Sequence, residues 1–478
     1  MQTDHVYLYE AIAEKLAGAI SRGTFAADER MPSLRELAKQ YDVSIATATQ
    51  VYHALEDLGY LTTRPRSGYF VRKRIVEPAV SSPPAEPAFL KSKDILLRVK
   101  RTLMQPGLLS LGVTADPAPE LIPAKAIGRA LAGVARRSAN LAAVYGHPYG
   151  HLDLRVQIAR RMSDAGCYLT PDDLIVTTGC QNALSLALRA VAQPGDIIAI
   201  ESPTYIGISH LLATLGLKAL EIPTHPGVGV DLDALQQALT RHPVKACLLM
   251  PCCQNPLGAS MPEDATRRLV ELLAQAKVPL IEDDAMGDLT FERPRPKAAK
   301  AFDVDGNVLY CSSFSKTLGP GQRIGWIAPG RYRDSIAYLQ SVFHSLSSPV
   351  WQQVGIAEFL AVGNYARSLH QAAQAYRKRV NAMRGWVQEY FPQGTRATQP
   401  RGGFILWVEL PRSVDVEVLE RRALEHAIGF APGLLFSPTG GYTHHIRLSC
   451  GGAVEWEKVE PAMALLGGLA NEISNPVG

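Results

Sequence analysis

The chain has 478 residues, 47% of them apolar and 20% charged, a composition that excludes global disorder and supplies core for more than one domain. Lys+Arg 49 against Asp+Glu 45 leaves a formal charge of +4, so any nucleic-acid binding must come from local clustering rather than bulk charge. The seven cysteines are Cys167, Cys180, Cys247, Cys252, Cys253, Cys311 and Cys450, and no two have C-x-x-C spacing. An odd count without that spacing argues against a disulfide framework or structural zinc, and for reduced thiols in a cytoplasmic protein. The pairs Cys252-Cys253 and His444-His445 lack a partner cluster at useful spacing, so no metal site is expected. No run reaches the ~18 apolar residues of a membrane span, and the first residues lack the apolar segment of a signal peptide.

In chain order, Leu8, Ile12, Leu16 and Ile20 recur every four residues before Gly23, which predicts a first helix. Ser33 with Glu36 has the spacing of a capping box and opens a second helix over Ser33–Gln40. The third starts at Val43-Ser44, carries Val51, Leu55 and Leu58 on one face, and ends at Gly59. Two β-prone runs, Tyr60–Thr63 and Tyr69–Val71, flank a turn at Arg64-Pro65-Arg66-Ser67-Gly68. Three short helices and a hairpin make a winged helix-turn-helix over 1–74. Its second unit would read the major groove with Ser44–Leu58. Arg35 projects from the preceding helix toward phosphate or a guanine edge, and Ser44, Thr47 and Thr49 offer hydroxyls beside the free backbone N–H groups of the helix start. Arg64, Arg66, Arg72, Lys73 and Arg74 cluster with no acid between 64 and 74, so Arg64, Arg66, Ser67 and Gly68 are candidate wing contacts.

The runs Met31-Pro32-Ser33-Leu34-Arg35-Glu36-Leu37-Ala38, Val43-Ser44, Leu55-Glu56-Asp57-Leu58-Gly59-Tyr60-Leu61 and Arg66-Ser67-Gly68-Tyr69-Phe70-Val71 resemble the GntR family of regulators. The resemblance implies double-stranded DNA as partner. Many relatives carry an arginine directly after the serine, where this chain has Ile45. That shifts the expected weight toward phosphate and wing contacts.

Residues 75–94 contain Pro78, Pro83, Pro84 and Pro87 and read as an extended linker, because proline removes a backbone donor and restrains its neighbour. From 95 to 478 continuous apolar β-prone runs alternate with helical stretches, which is the pattern of an α/β domain with a doubly covered sheet. Such runs include Leu174–Val176, Ile197–Ile200, Cys247–Met250, Pro279–Ile281 and Val308–Tyr310. From about Phe391 the pattern changes to a smaller α+β subdomain.

Five constellations in this second domain follow predicted strands, where open α/β sheets bind ligands. Ser313-Phe314-Ser315-Lys316 brings an amine able to form a Schiff base, with Arg323 seven residues on as a phosphate partner. Thr178-Gly179-Cys180-Gln181 opens a helix whose backbone N–H groups suit phosphate. Glu282-Asp283-Asp284 ends a buried run, and an acid there can pair with a protonated pyridine nitrogen. Asn255 can bond a phenolic oxygen, and Tyr205 can stack on a flat ring. A helix cap or a magnesium site is the alternative reading of the carboxylates.

Together these motifs resemble the class I/II aminotransferases of fold type I from about Leu109 to Leu466. The resemblance implies pyridoxal 5'-phosphate as cofactor, with Lys316 as the internal-aldimine lysine and the catalytic residue. It implies Asp283 on the pyridine nitrogen, Asn255 on the cofactor hydroxyl and Tyr205 on the ring. Gly179, Cys180, Gln181, Ser313, Ser315 and Arg323 would hold the phosphate. Tyr145 resembles the tyrosine that reaches a neighbouring subunit's phosphate, and Arg447 the arginine that clamps a substrate carboxylate. Where relatives commonly have Glu-Asp-Asp-x-Tyr, this chain has Met286, which removes a hydrogen bond to the cofactor.

The order of the two halves resembles the MocR subfamily of GntR-type regulators. That implies a homodimeric transcription regulator on DNA with two half-sites, which senses pyridoxal 5'-phosphate or an amino compound. The alternative is a working aminotransferase with a fused DNA-binding domain.

Overall fold

The computed structural model describes residues 8–64, 67–72, 75–80, 83, 86–89, 107–112, 117–343, 348–452 and 455–475. Arg66, Lys73, Arg74 and part of the proline-rich segment lie outside these residues.

Helix α1 (Leu8–Ser21) buries Ile12, Ala13, Leu16, Ala17 and Ile20, the stripe that its four-residue period dictates. Helix α2 (Leu34–Tyr41) starts on a complete capping box: Ser33 N donates to Glu36 Oε2 at 2.7 Å, and Glu36 N to Ser33 Oγ at 3.3 Å. Asp42, in the left-handed region at φ 50°, ends it. Helix α3 (Ile45–Asp57) is capped by Ser44 and buries Ala48, Val51, Tyr52 and Leu55. Tyr52 keeps its buried hydroxyl satisfied by donating to the Pro32 carbonyl at 2.7 Å. Strands β1 (Leu61–Arg64) and β2 (Gly68–Val71) pair antiparallel as the wing, with Leu61 opposite Val71.

The segment after the wing runs along the rest of the protein where it is described. Ala397 N donates to the Val76 carbonyl at 2.9 Å and Gln399 N to Glu77 at 3.0 Å. Strand β3 (Ala88–Phe89) then adds to the edge of the large sheet, and β4 (Leu109–Ser110) pairs with a strand of the C-terminal unit.

The large sheet comprises β5 (Ile175–Thr177), β6 (Ile197–Ser202), β7 (Lys218–His225), β8 (Gly229–Val230), β9 (Val244–Leu249), β10 (Leu280–Asp283), β11 (Val308–Ser313) and β12 (Gly325–Ala328), with β3 at its edge. The order is β3-β7-β6-β9-β10-β11-β12-β5, with β8 on β7. Strands β7, β6, β9, β10 and β11 run parallel. Their pleat sends alternate residues to opposite faces. Ile198, Ile200, Ile281 and Leu309 enter one core cluster, while Ala199, Leu280 and Val308 enter the other. Both faces are covered, which is why these strands read as unbroken apolar runs.

The C-terminal unit has an antiparallel sheet of β13 (Arg396–Ala397), β14 (Ile405–Glu409), β16 (Ala431–Pro432) and β17 (His445–Ser449), while β15 (Ile428–Gly429) pairs with β4. Its core also takes in Leu111 and Ala118, and packs against Ile75 and Leu109, from far upstream. The small unit is thus assembled from both ends of the second domain, where the sequence pattern alone suggested a start near Phe391. No helix among the described residues is long and apolar enough to cross a membrane.

Candidate functional site

The parallel strands β6, β9, β10 and β11 end on the same side of the sheet, and each delivers one candidate residue there. Asp283 is the last residue of β10 and is 5% exposed. Its Oδ1 accepts from Ala285 N at 3.1 Å and from the Cys180 thiol at 3.3 Å. Burial pushes its carboxyl up to about 6, against the pull of these two donors and of the Lys316 ammonium. Lys316 follows β11 on a short 3-10 turn capped by Ser313, whose Oγ accepts from Ser315 N at 3.4 Å. The two strands are neighbours in register, with Asp283 opposite Cys311. That pairing sets the lysine and the carboxylate in electrostatic reach of each other.

Arg447 on β17 reaches the same space from the small unit and is 4% exposed. Its Nη1 donates to Asn255 Oδ1 at 3.0 Å and its Nη2 to the Gly112 carbonyl at 2.6 Å. Its Nε has no hydrogen-bond partner, and its guanidinium lies 4.7 Å over the Phe436 ring. Burial pulls its pKa down to about 10, so it remains a cation near neutrality. No carboxylate among the described residues forms an ion pair with it. Isolated buried cations are costly, and this one fits an incoming anion. Asn255 spends its amide oxygen on Arg447 and keeps its nitrogen as a donor. Tyr205 feels both ends of the pocket: burial raises its phenol pKa, Asp283 adds to that, and Arg447 opposes it.

The phosphate candidates combine the backbone of a helix start with the Arg323 side chain, which lies against Gly179. Helix α4 (Cys180–Val191) begins after Gly179, whose φ of +114° requires glycine; a Cβ there would lie 2.7 Å from Arg323 Nη2. Arg323 donates to the Thr178 carbonyl at 2.5 Å and to Pro320 at 3.2 Å. Gln181 is exposed and donates to the Gly207 carbonyl at 2.9 Å. The residues present fit a phosphate, a ring and a carboxylate: free N–H groups at a helix start, an acid and an amine at strand ends, and a buried arginine. Tyr145 is 81% exposed.

Several contacts around the site carried no sequence signal. Asp284, beside Asp283, accepts from Arg295 Nη2 at 2.5 Å and from the Tyr310 hydroxyl. Arg295 Nη1 continues to Asp288 at 2.6 Å, and Asp288 to Arg161 at 3.0 Å. Burial disfavours the Asp288 charge, yet Arg161 and Arg295 outweigh it and hold its carboxyl below the usual range. Glu282 accepts from Ala299 N and Lys300 N. The three consecutive acids therefore go to three different sets of partners. Met286 is buried with Cys252 and Cys253 in the core of the small unit. The partners of this ionic belt are up to 127 positions apart, beyond any local pattern; the Cys180 thiol on Asp283 was equally hidden.

On the winged helix, Arg35 and Ser44 are exposed at the start of the helix pair. Thr47 N donates to Ser44 Oγ at 3.1 Å, and Thr49 Oγ1 donates to the Ile45 carbonyl at 2.8 Å. These hydroxyls cap and brace α3 and keep lone pairs for an outside donor. Ile45 is 54% exposed beside them. Arg64 donates to Asp28 at 2.5 Å and lies 4.3 Å over the Phe70 ring, so the wing partly uses its own arginine. Ser67 and Gly68 complete the turn, with Ser67 N on the Arg64 carbonyl at 2.9 Å.

Residues 8–71 match the bacterial regulatory proteins of the gntR family, and 109–465 match the aminotransferase class I and II family. The chain belongs to the MocR type of GntR regulators. The regulator is 39% identical to the uncharacterized HTH-type transcriptional regulator YjiR of Escherichia coli, over 92% of this chain and 94% of the relative. It is 32% identical to the 2-aminoadipate transaminase of Thermus thermophilus, over 72% of this chain and 86% of that enzyme. Among solved structures, LysN of Thermus thermophilus, an α-aminoadipate aminotransferase complexed with N-(5'-phosphopyridoxyl)-L-leucine, superposes with a TM-score of 0.73 at 29% identity. That match covers 79% of the regulator and 96% of LysN. A GntR reader and an aminotransferase-type domain are thus joined in one chain.

Proposed function

We propose that this regulator binds pyridoxal 5'-phosphate in the strand-end pocket and controls DNA binding in response to the cofactor or to an amino compound bearing a carboxylate. The observation that carries the reading is the trio Lys316, Asp283 and Arg447: an amine in electrostatic reach of a buried acid, and a buried guanidinium that pairs with no acid among the described residues. When bound, pyridoxal phosphate supplies an aldehyde for amine capture and an electron-withdrawing ring. Lys316 would hold that aldehyde as a Schiff base, and Asp283 would face the ring nitrogen as a carboxylate. The Asn255 nitrogen would donate to the phenolic oxygen, and Tyr205 would lie against the ring. N–H groups at Gly179, Cys180 and Gln181, with Ser313, Ser315 and Arg323, would surround the phosphate. Arg447 would take the ligand carboxylate in two hydrogen bonds. Tyr145, exposed on its own chain, is available to a neighbouring copy, which supports a homodimer holding two winged helices on two half-sites. On DNA, Arg35 and the α3 start with Ser44, Thr47 and Thr49 would meet the major groove, and the wing from Arg64 through Ser67 and Gly68 the adjacent backbone. A cytoplasmic location follows from DNA as partner and from seven unpaired, buried cysteines.

The test is a visible absorption spectrum of the purified protein, followed by titration with single amino acids and a 2-oxo acid. A cofactor band that disappears in Lys316→Ala is expected, together with amino-acid shifts of the band that alter DNA affinity without steady product. Sustained turnover would make the protein an aminotransferase first. No band after added pyridoxal phosphate would overturn the cofactor reading.

A further inference from the structure

No lysine, arginine or carboxylate stands between Asp42 and Glu56, the stretch that holds most of α3. At about 100° per residue, Ala48, Val51, Tyr52 and Leu55 turn one arc of that helix into the core. Ile45, Ala46, Gln50 and His53 are exposed on the opposite arc, with Thr49 partly buried among them. The solvent face of a helix ordinarily carries charged or polar residues. This one leads with an isoleucine that is more than half exposed.

The polar groups of the arc are partly spent within the domain. Ser44 Oγ accepts from Thr47 N at 3.1 Å and lies 2.9 Å from Thr47 Oγ1. Thr49 has given its hydroxyl proton to the Ile45 carbonyl. His53 Nδ1 lies 3.6 Å from Glu56 Oε2, and its ring meets the Tyr69 ring of the wing edge-on. Gln50 supplies the exposed amide, which can donate and accept at once. The cations stand around this arc rather than on it. Arg35 and Lys39 are exposed on α2, while Arg64 on β1 and Arg30, bridged to Phe70, are exposed at the wing.

Protein–DNA contacts divide in the same way: phosphate contacts position the protein, and base edges carry the sequence information. In the major groove, arginine and lysine are the commonest readers of guanine. Glutamine suits the N6/N7 edge of adenine, and an apolar side chain suits the thymine methyl. The exposed arc of α3 has the second and third of these readers and lacks the first. Ile45 and Gln50 are about 7.5 Å apart along the helix axis, so they address different base pairs.

We infer that α3 selects A·T pairs: Ile45, beside Ala46, packs on a thymine methyl, and Gln50 bonds the adenine of a second pair. The inference rests on the DNA-binding function proposed above and adds the class of base that the reader selects.

The test is selection of binding sites from randomised duplexes with the full-length protein, followed by affinity measurements at fixed salt. Each selected half-site should hold a thymine whose replacement by uracil, the loss of one methyl group, weakens binding about fourfold. That substitution is made in the DNA and needs no variant to fold. Ile45→Ala should bind the thymine and uracil duplexes equally, because the methyl then has no partner. Ile45→Arg should exchange thymine for guanine at that position by about 5- to 100-fold. Gln50→Ala should lose the preference for adenine at a second position and retain the uracil effect at the first. Ile45 lies outside the winged-helix core, and melting curves check that each variant folds. Selected sites without a preferred A·T pair overturn the inference. So does a uracil penalty that is absent everywhere, or one that is the same in Ile45→Ala. Those results leave DNA binding intact. A protein that binds no duplex at all overturns the reader itself, and the base selection with it.

Discussion

Arg35 on α2 and Ser44 and Ile45 at the start of α3 are exposed, whereas Asp283 and Arg447 are 5% and 4% exposed in the pocket. The reader's groups cost little to keep, because solvent satisfies them until DNA arrives. The pocket's groups lost solvent on folding and were only partly repaid by hydrogen bonds. A charge kept under those conditions is a stronger pointer to a ligand than any exposed arginine. The two regions also differ in depth of core: the winged helix has one small cluster, and the second domain stacks clusters on both faces of its sheet.

The contrast can be broken most forcefully in the small core. Leu55→Ala, at a fully buried position, is expected to destabilise the winged helix by about 2–5 kcal/mol. DNA binding should fail while the cofactor band persists, which calorimetry and absorption on the same sample would check. Next in size is Arg447→Lys, which keeps the charge and loses the planar fork. Affinity for a carboxylate-bearing amine should drop by about 30-fold, or about 2 kcal/mol. An amine lacking the carboxylate should bind the variant as before; equal losses for both would deny Arg447 its role.

A pH series sharpens the pocket side. The Asp283 carboxyl is raised from 3.8 to about 6 by burial. Below about 6 it is neutral and offers no charge to a pyridinium, so cofactor affinity should fall with pH there, at most about tenfold per unit. Asp283→Asn should bind weakly and without that slope. For folding of the free protein the sign reverses. A raised carboxyl keeps its proton longer folded than unfolded, so its contribution is present below 3.8 and is lost as pH rises through about 6. The smallest expected effect is Ser44→Ala, which removes the α3 cap for about 1 kcal/mol. Its melting temperature should fall slightly, with DNA affinity reduced beyond what stability explains if the hydroxyl also meets phosphate.

Much of the arrangement was readable from residues close in sequence. The capping box at Ser33 and Glu36, the turn before Gly68, the strand ending at Asp283 and the glycine before α4 are local patterns, and local backbone physics enforces them. The C-terminal unit was harder. Its core borrows Leu109, Leu111 and Ala118, which lie beyond the reach of any periodicity read from Phe391 onward. The described part of the proline-rich segment likewise reads as a tether, yet it hydrogen-bonds along the C-terminal sheet at Ala397 and Gln399.

Sequence alone determined the two-part order of the chain and the residue types at each strand end, because turns, caps and apolar runs are short-range statements. Tertiary structure decided which of those residues share a space. The parallel register of β10 on β11 sets Asp283 near Lys316, and β17 brings Arg447 to Asn255 from 192 positions away. It also decided that Arg64 pairs with Asp28, that Asp284 turns to Arg295, and that Lys378 meets Asp57. Those pairings depend on how whole elements pack, and packing is a property of the folded chain rather than of any window along it.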